Sequence, residues 1–136
     1  MASHRFVPFP RPSGKDSNTM STTEDVLDHH LEAFGDQDIE ATMADYADDA
    51  VVITHGEVYR GREAIGDWFE TELFTEFEKP DVTFTLNEKT VEGEYAYITW
   101  EADTPETDYE FATDTFVVRD GKIVAQTLGV QATSKH

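Results

Sequence analysis

The apolar residues of this chain change their spacing once, near Pro80, and that single change restricts the possible folds more than any other feature. Ahead of it the spacing is mostly helical. Thr22 or Thr23 followed by Glu24 and Asp25 has the composition of a helix N-terminus, and Val26, Leu27, His30, Leu31 and Phe34 then form one stripe that ends at Gly35. Asp36 or Asp38 caps a second predicted helix, with Ile39, Met43 and Tyr46 on one face and a stop at Asp48-Asp49. Val51 to Ile53, broken by His55-Gly56 and resumed at Val58-Tyr59, predicts a strand or small hairpin. Ile65, Trp68, Phe69, Leu73 and Phe77 return to helical spacing in a third and longest helix, ending before Pro80. Beyond Val82 the period is two, through Val82-Phe84-Leu86, then Tyr95-Tyr97-Thr99, then residues 109–119. Asp120-Gly121 turns the chain into a last strand over 123–130. Helices followed by a meander predict an α+β domain with the helices packed on one face of a curved sheet.

With 136 residues the chain is long enough for one hydrophobic core. The first twenty residues hold three of the five prolines and no apolar period, so residues 1–20 are expected to form an extended or disordered arm and residues 21–136 the folded domain. The sequence has neither the apolar core of a secretory signal nor a run of about 18 apolar residues that would span a membrane, so the expected location is the cytoplasm. The absence of cysteine excludes disulfides, thiolate metal sites and cysteine nucleophiles. Acidic residues outnumber basic ones 29 to 10, a net charge of −19 that would repel nucleic acid. The acids are spread over every segment, as on proteins of salt-loving organisms, where a Debye length of about 3 Å in molar salt screens the self-repulsion.

Two stretches, DVLDHHLEAFGDQDIEATMADYADDAVVITHGEVYRGREAIGDWF and DTFVVRDGKIVAQ, resemble the nuclear transport factor 2-like superfamily, specifically its SnoaL-like and ketosteroid isomerase-like small proteins. The likeness extends over residues 23–131. It implies a cone-shaped curved antiparallel sheet wrapped around a long helix, with two further N-terminal helices and an apolar pocket open at one end. It also implies homodimers joined through the outer sheet face. Tyr95, Tyr97, Thr99, Phe111, Thr113, Thr115 and Val117 share that face and form a patch too apolar to stay wet.

Asp114 is the leading candidate for chemistry. It shares a face with Ala112, Phe116 and Val118, so an inward orientation places a carboxylate among apolar groups and raises its pKa into the range of a general acid. The resemblance assigns the matching position to an aspartic acid that donates to a developing oxyanion; the alternative is a buried Asp with a purely structural bond. His30 lies on the apolar stripe of the first helix, while His29 points about 100° away toward solvent. His30 is therefore expected to face Asp114 and act as base or orienter, against the alternative of a core-edge histidine without chemistry. Thr54 occupies the position where the isomerases carry their carboxylate base, and threonine does not abstract protons at neutral pH. His55 could replace it only if a bulge turned it inward. Tyr46, Ile53, Tyr59, Ile65, Trp68, Phe69, Leu73, Trp100, Phe116 and Leu128 are the expected pocket wall, suited to a flat, apolar cyclic ligand. No metal-ligand spacing emerges among the histidines, and no cofactor motif is present, so neither metal nor cofactor is expected. No arginine other than Arg119, at a turn, falls on a predicted sheet strand, which disfavours the Asp-Arg-Asp chemistry of limonene epoxide hydrolases. These residues leave open a cofactor-free isomerase or cyclase, a binding protein without turnover, and a structural dimer module.

The dispersed acidic charge makes salt a direct test. The melting temperature is expected to rise between dilute buffer and molar KCl, measured by differential scanning fluorimetry; a flat response would assign the charge to an ordinary acidic surface.

Overall fold

The computed structural model describes residues 22–78 and 81–135, so the expected arm over 1–20 lies outside the described part, as does Pro80. Helix α1 spans Thr23–Gly35. The Thr22 hydroxyl accepts from the Asp25 amide at 3.1 Å, and the Asp25 carboxylate accepts from the Thr22 amide at 3.2 Å. This reciprocal cap satisfies two amide groups that the first helical turn leaves without partners. Val26, Leu27, His30 and Leu31 are buried, as the apolar stripe requires.

Helix α2 covers only Ile39–Ala44, with Asp38 as its cap. Tyr46, expected on this helix, instead opens strand β1 (Tyr46–Thr54). Its seven-residue offset from Ile39 mimics a helical repeat because both elements bury their apolar side chains in the same interior. The chain leaves the helix at Asp45, whose carbonyl accepts from the Ile123 amide at 2.7 Å and starts a sheet pairing. Strand β2 (Glu57–Arg60) folds back on β1 through His55 and Gly56, both at positive φ, a two-residue hairpin turn. Helix α3 (Gly61–Trp68) runs into a π-helical turn (Phe69–Leu73) and then α4 (Phe74–Phe77). The predicted single helix therefore carries one wider turn, in which the Phe74 amide reaches back five residues to the Phe69 carbonyl.

Four strands follow: β3 (Thr83–Glu92), β4 (Tyr95–Asp103), β5 (Thr107–Arg119) and β6 (Lys122–Ser134). The six strands form one sheet in the order β2-β1-β6-β5-β4-β3. All neighbours are antiparallel except β1 and β6, which run parallel. Register shifts interrupt several pairs, including one between Trp100 and Ala102 on β4 and one between Tyr109 and Phe111 on β5. Such irregularities bend a sheet, and here they curve it around the helices. Ala96, Ile98, Trp100 and Ala102 of β4 face inward beside Ala112, Asp114, Phe116 and Val118 of β5, and all eight are buried. Lys89 of β3, itself buried along most of its length, ties the sheet to α1 through Asp28 at 2.8 Å and Glu24 at 3.1 Å. No helix among the described residues is long and apolar enough to cross a membrane.

The outer face has its own pattern. Val58, Ile53, Thr127, Thr115, Tyr97 and Thr90 pair in register across all six strands, so one row crosses the sheet without a charged side chain. Ile53, Val58, Tyr95, Tyr97 and Phe111 are the large apolar groups left exposed on it.

Candidate functional site

The sheet, α1 and the π-helical turn enclose a cavity of about 280 Å³, near the lower end of the roughly 300–1,000 Å³ range of ligand pockets. Its wall is rich in Phe, Tyr and Trp. Tyr59 stacks on Trp68 at a centroid distance of 5.3 Å, and Phe84 stacks on Trp100 at 5.1 Å. Phe69 lies edge-on or tilted against His30, Phe34, Tyr46, Trp68 and Phe74, so this one ring braces five others. The π-helical turn brings Phe69, Glu72 and Leu73 to the cavity together.

Polar groups enter this wall at few points, and the deepest of them are bonded to one another. Asp114, 5% exposed, projects from β5 into the cavity. One of its oxygens accepts from the Trp100 indole N–H and the other from the Gln126 amide, each at 2.8 Å. Gln126 in turn accepts, through Oε1, from the Tyr46 hydroxyl. The same hydroxyl lies 3.2 Å from His30 Nε2, and His30 Nδ1 lies 3.2 Å from an Asp45 oxygen. Asp45 is also held by His29 Nδ1, at 2.8 and 2.9 Å to its two oxygens. The result is a continuous row from the cavity to a histidine whose side chain is half exposed.

Burial pushes the Asp114 carboxyl up to about 6, outweighing the hydrogen bonds from Trp100 and Gln126 and the nearby His30, which act the other way. Burial, reinforced by Asp114 and Asp45, holds the Tyr46 phenol well above its usual value, so the hydroxyl keeps its proton. At the other end of the cavity Tyr109 is pushed up to about 12 by burial and by Glu76.

The structure brings His30 and Asp114 to one cavity, but no hydrogen bond joins them. His30 has Asp45 as its carboxylate partner, because the short α2 ends where its C-cap aspartate faces α1. Both ring nitrogens are engaged, so of the two expected roles the geometry suits an orienting group and leaves no free lone pair for a base. His29 is half exposed, as its helical phase predicts, yet it shares Asp45.

Of the expected wall, Tyr59, Trp68, Phe69, Leu73, Trp100, Phe116 and Leu128 line the cavity. Ile53, Ile65 and Tyr46 do not. Val52 faces the core at 0% exposure, so its neighbour Ile53 must point to the outer face, where it is 47% exposed. Ile65 lies one turn before Trp68, where α3 packs flush on β1, and is sealed in the core. Tyr46 sits beneath the cavity floor, reaching it only through its partners. Thr54 returns to the inner face, in the same row as Leu128, Asp114 and Ile98. His55 also lines the cavity mouth, with Nε2 accepting from the Val130 amide at 3.1 Å. It reaches inward because it occupies a turn at φ 38°, where strand alternation no longer applies.

Gln126 and Asp45 were missed by the sequence reading. Gln126 had a signal: with Leu128 and Val130 it makes an alternating face on which it is the polar member, the pattern that singled out Asp114. Asp45 had none, since its partners lie 15 and 16 residues away on another helix. Among the described residues no cluster of three or more acidic or histidine side chains is arranged to hold a metal ion. Arg119, at the end of β5, pairs with Glu94 at 3.1 Å on the surface, and no arginine among the described residues lines the cavity.

The raised carboxyl sets the sign of a pH effect. Since the folded form prefers Asp114 protonated, its contribution to stability is complete below the unfolded pKa and is lost as pH rises through the folded value of about 6. Relative to wild type, Asp114→Asn is therefore expected to gain about 2 kcal/mol between pH 4 and pH 7, since a tenfold change in proton affinity corresponds to about 1.4 kcal/mol. Paired urea denaturations across that interval check it; a stability difference independent of pH would place Asp114 in contact with water.

Comparison with known proteins identifies the family and the fold. The family model of the SnoaL-like domain matches residues 27–126. Comparison with curated protein sequences gives no match. Among solved structures, a candidate ketosteroid isomerase from Kribbella flavida DSM 17836 superposes with a TM-score of 0.69 at 14% identity, covering 80% of this chain and 77% of that one. A candidate polyketide cyclase from Sinorhizobium meliloti gives 0.63 at 23% identity, over 79% and 94%. The epoxide hydrolase/cyclase-like enzyme SalBIII, of pyran ring formation in polyether salinomycin, gives 0.68 at 16% identity, over 82% and 95%. At these identities the structures speak for the fold, and the family model for the lineage: the chain belongs to the SnoaL-like domain family.

Proposed function

We propose that the cavity takes up a small, apolar cyclic ketone or polyketide-like molecule and that the protein acts on it as a cofactor-free isomerase or cyclase, with Asp114 as the proton-transfer group. The observation that carries this reading is an ionisable carboxyl inside an aromatic cavity, poised at about 6 and braced on both oxygens. A group so poised exists in both forms near neutrality. As the acid, it donates to a carbonyl oxygen on which negative charge develops; as the carboxylate, it accepts a proton from the adjacent carbon and returns it elsewhere on the ring. Trp100 and Gln126 hold the carboxyl in place during the exchange, and the stacked aromatic pairs present flat faces to a cyclic ligand. His30, on the cavity wall with both ring nitrogens engaged, orients its neighbours rather than serving as the base.

A second reading, a binding protein without turnover, is favoured by one residue. Thr54 stands on the inner face where the resemblance implies a carboxylate base, which leaves Asp114 as the sole carboxyl deep in the cavity among the described residues. Asp114→Asn separates the two. As an enzyme, the protein is expected to lose about 10²-fold or more in turnover of a cyclic-ketone substrate while the near-UV spectrum is kept. Ligand binding by wild type with no turnover at all would establish the binder.

The outer face supports a homodimer. On a chain with 29 acidic residues, two copies approach each other at least cost through a surface free of charge, and the uncharged row from Val58 to Thr90 is such a surface. Light scattering in molar salt is expected to give twice the monomer mass, with Tyr97→Glu shifting it toward monomer; a monomeric wild type would refute the arrangement.

A further inference from the structure

Counting protons along the buried row gives a stronger constraint than any of its distances. Asp45 only accepts, so His30 Nδ1 carries a hydrogen. The Tyr46 hydroxyl has a single proton to give and lies between His30 Nε2 and Gln126. With Gln126 Oε1 toward Tyr46, that proton goes to the amide, and the contact at Nε2 is a hydrogen bond only if the ring also carries a proton there. His30 is then an imidazolium, and Asp114, accepting from both Trp100 and Gln126 Nε2, is a carboxylate. Turning the amide end for end yields the other closed pattern. Gln126 Nε2 donates to the Tyr46 oxygen, the Tyr46 proton turns to a neutral His30 Nε2, and Gln126 Oε1 accepts from Asp114 as a carboxylic acid.

The two patterns hold the same number of protons. One N–H bond at His30 is broken, one O–H bond at Asp114 is made, and Tyr46 keeps one proton throughout. A neutral His30 combined with an ionised Asp114 leaves two buried lone pairs facing each other, and a charged His30 with a protonated Asp114 leaves two hydrogens opposed. Either mismatch leaves a buried polar group without a partner, which disfavours it against both closed patterns.

We propose that Tyr46 and Gln126 are positioning residues that join His30 and Asp114 into a pair sharing one proton, so that His30 sets the form in which Asp114 meets a ligand. This rests on the reading of Asp114 as the proton-transfer group of the cavity. The charged and titratable groups around the pair are Asp45 and His29 at the His30 end and His55, Glu57 and Glu72 at the cavity mouth; the bond from Trp100 is the same in both patterns.

The test follows Asp114 by the ¹³C shift of its carboxyl through a pH titration of the ligand-free protein. His30→Gln is expected to move the Asp114 midpoint upward by about one pH unit, a tenfold change in proton affinity. In a Tyr46→Phe background, which removes only the hydroxyl, the same His30→Gln change is expected to move it by less than half as much. A displacement retained by more than half in that background would mean that the charges act directly through space and would overturn the proposal, as would an Asp114 midpoint indifferent to His30 in the wild-type protein. Should Tyr46→Phe fail to fold, Gln126→Leu breaks the same row one step later and is read the same way. No substrate enters these titrations. Coupling together with an Asp114→Asn variant of full activity would reject the functional reading alone, and lost activity without coupling would reject this inference alone.

Discussion

Taking the Asp114 carboxyl out of water costs several kcal/mol, and much of the domain interior is arranged around offsetting that cost. Trp100 and Gln126 each commit their side-chain donor to it, which fixes the β4 and β6 side chains beside β5. Gln126 needs a donor for its own oxygen in turn, and Tyr46 supplies it from β1, the strand that runs parallel to β6. Tyr46 then engages His30 on α1, and His30 engages Asp45 at the end of α2. One buried charge site thus reaches, by successive polar satisfaction, four of the six strands and both N-terminal helices. A polar network inside a low-dielectric core is stabilising only when every member is satisfied, which makes this row a determinant of the unique packing as well as a chemical device.

The parts of the fold that were legible in the sequence are those set by local rules. The α1 stripe, the start of that helix at Thr22 or Thr23, the Asp120-Gly121 turn and the inward phase of Asp114 follow from periodicity and turn chemistry over a few residues. The parts that were not legible depend on contacts made across the chain. Tyr46 fits a helical repeat by spacing, and only pairing with β6 makes it a strand residue. Ile53 was misplaced where the adjacent Val52 would have settled its side by parity, and Ile65 because helical spacing defines a face but not where along that face a cavity begins. The partner of His30 was misassigned for the same reason: two polar residues can share a cavity while each finds a nearer partner, and Asp45 is nearer.

Charge and apolar surface are divided between regions with little overlap. The acids cover the exterior, while the cavity admits Asp114 inside and Glu57 and Glu72 only at its mouth. Field lines from so acidic a shell disfavour the approach of anions, and an apolar neutral ring meets no such barrier. The uncharged row on the outer sheet face is the one broad departure from the acidic exterior among the described residues, and it lies on the side of the sheet away from the cavity. A second copy bound there would leave the cavity mouth open.

The position of β6 has a consequence for how the molecule is made. It is the last of the six strands to be synthesised, yet it lies inside the sheet between β1 and β5. Until it arrives, β1 and β2 form a hairpin with no neighbour on one side, and the β3-β4-β5 meander ends in an open edge. Tyr46 lacks Gln126, and Asp114 lacks one of its two donors. Contacts of such long sequence separation form late, because loop closure must precede any gain from pairing. Until then the nascent domain has two sets of strands with no pairing between them, each with an exposed edge, and the final strand completes both the sheet and the buried polar row.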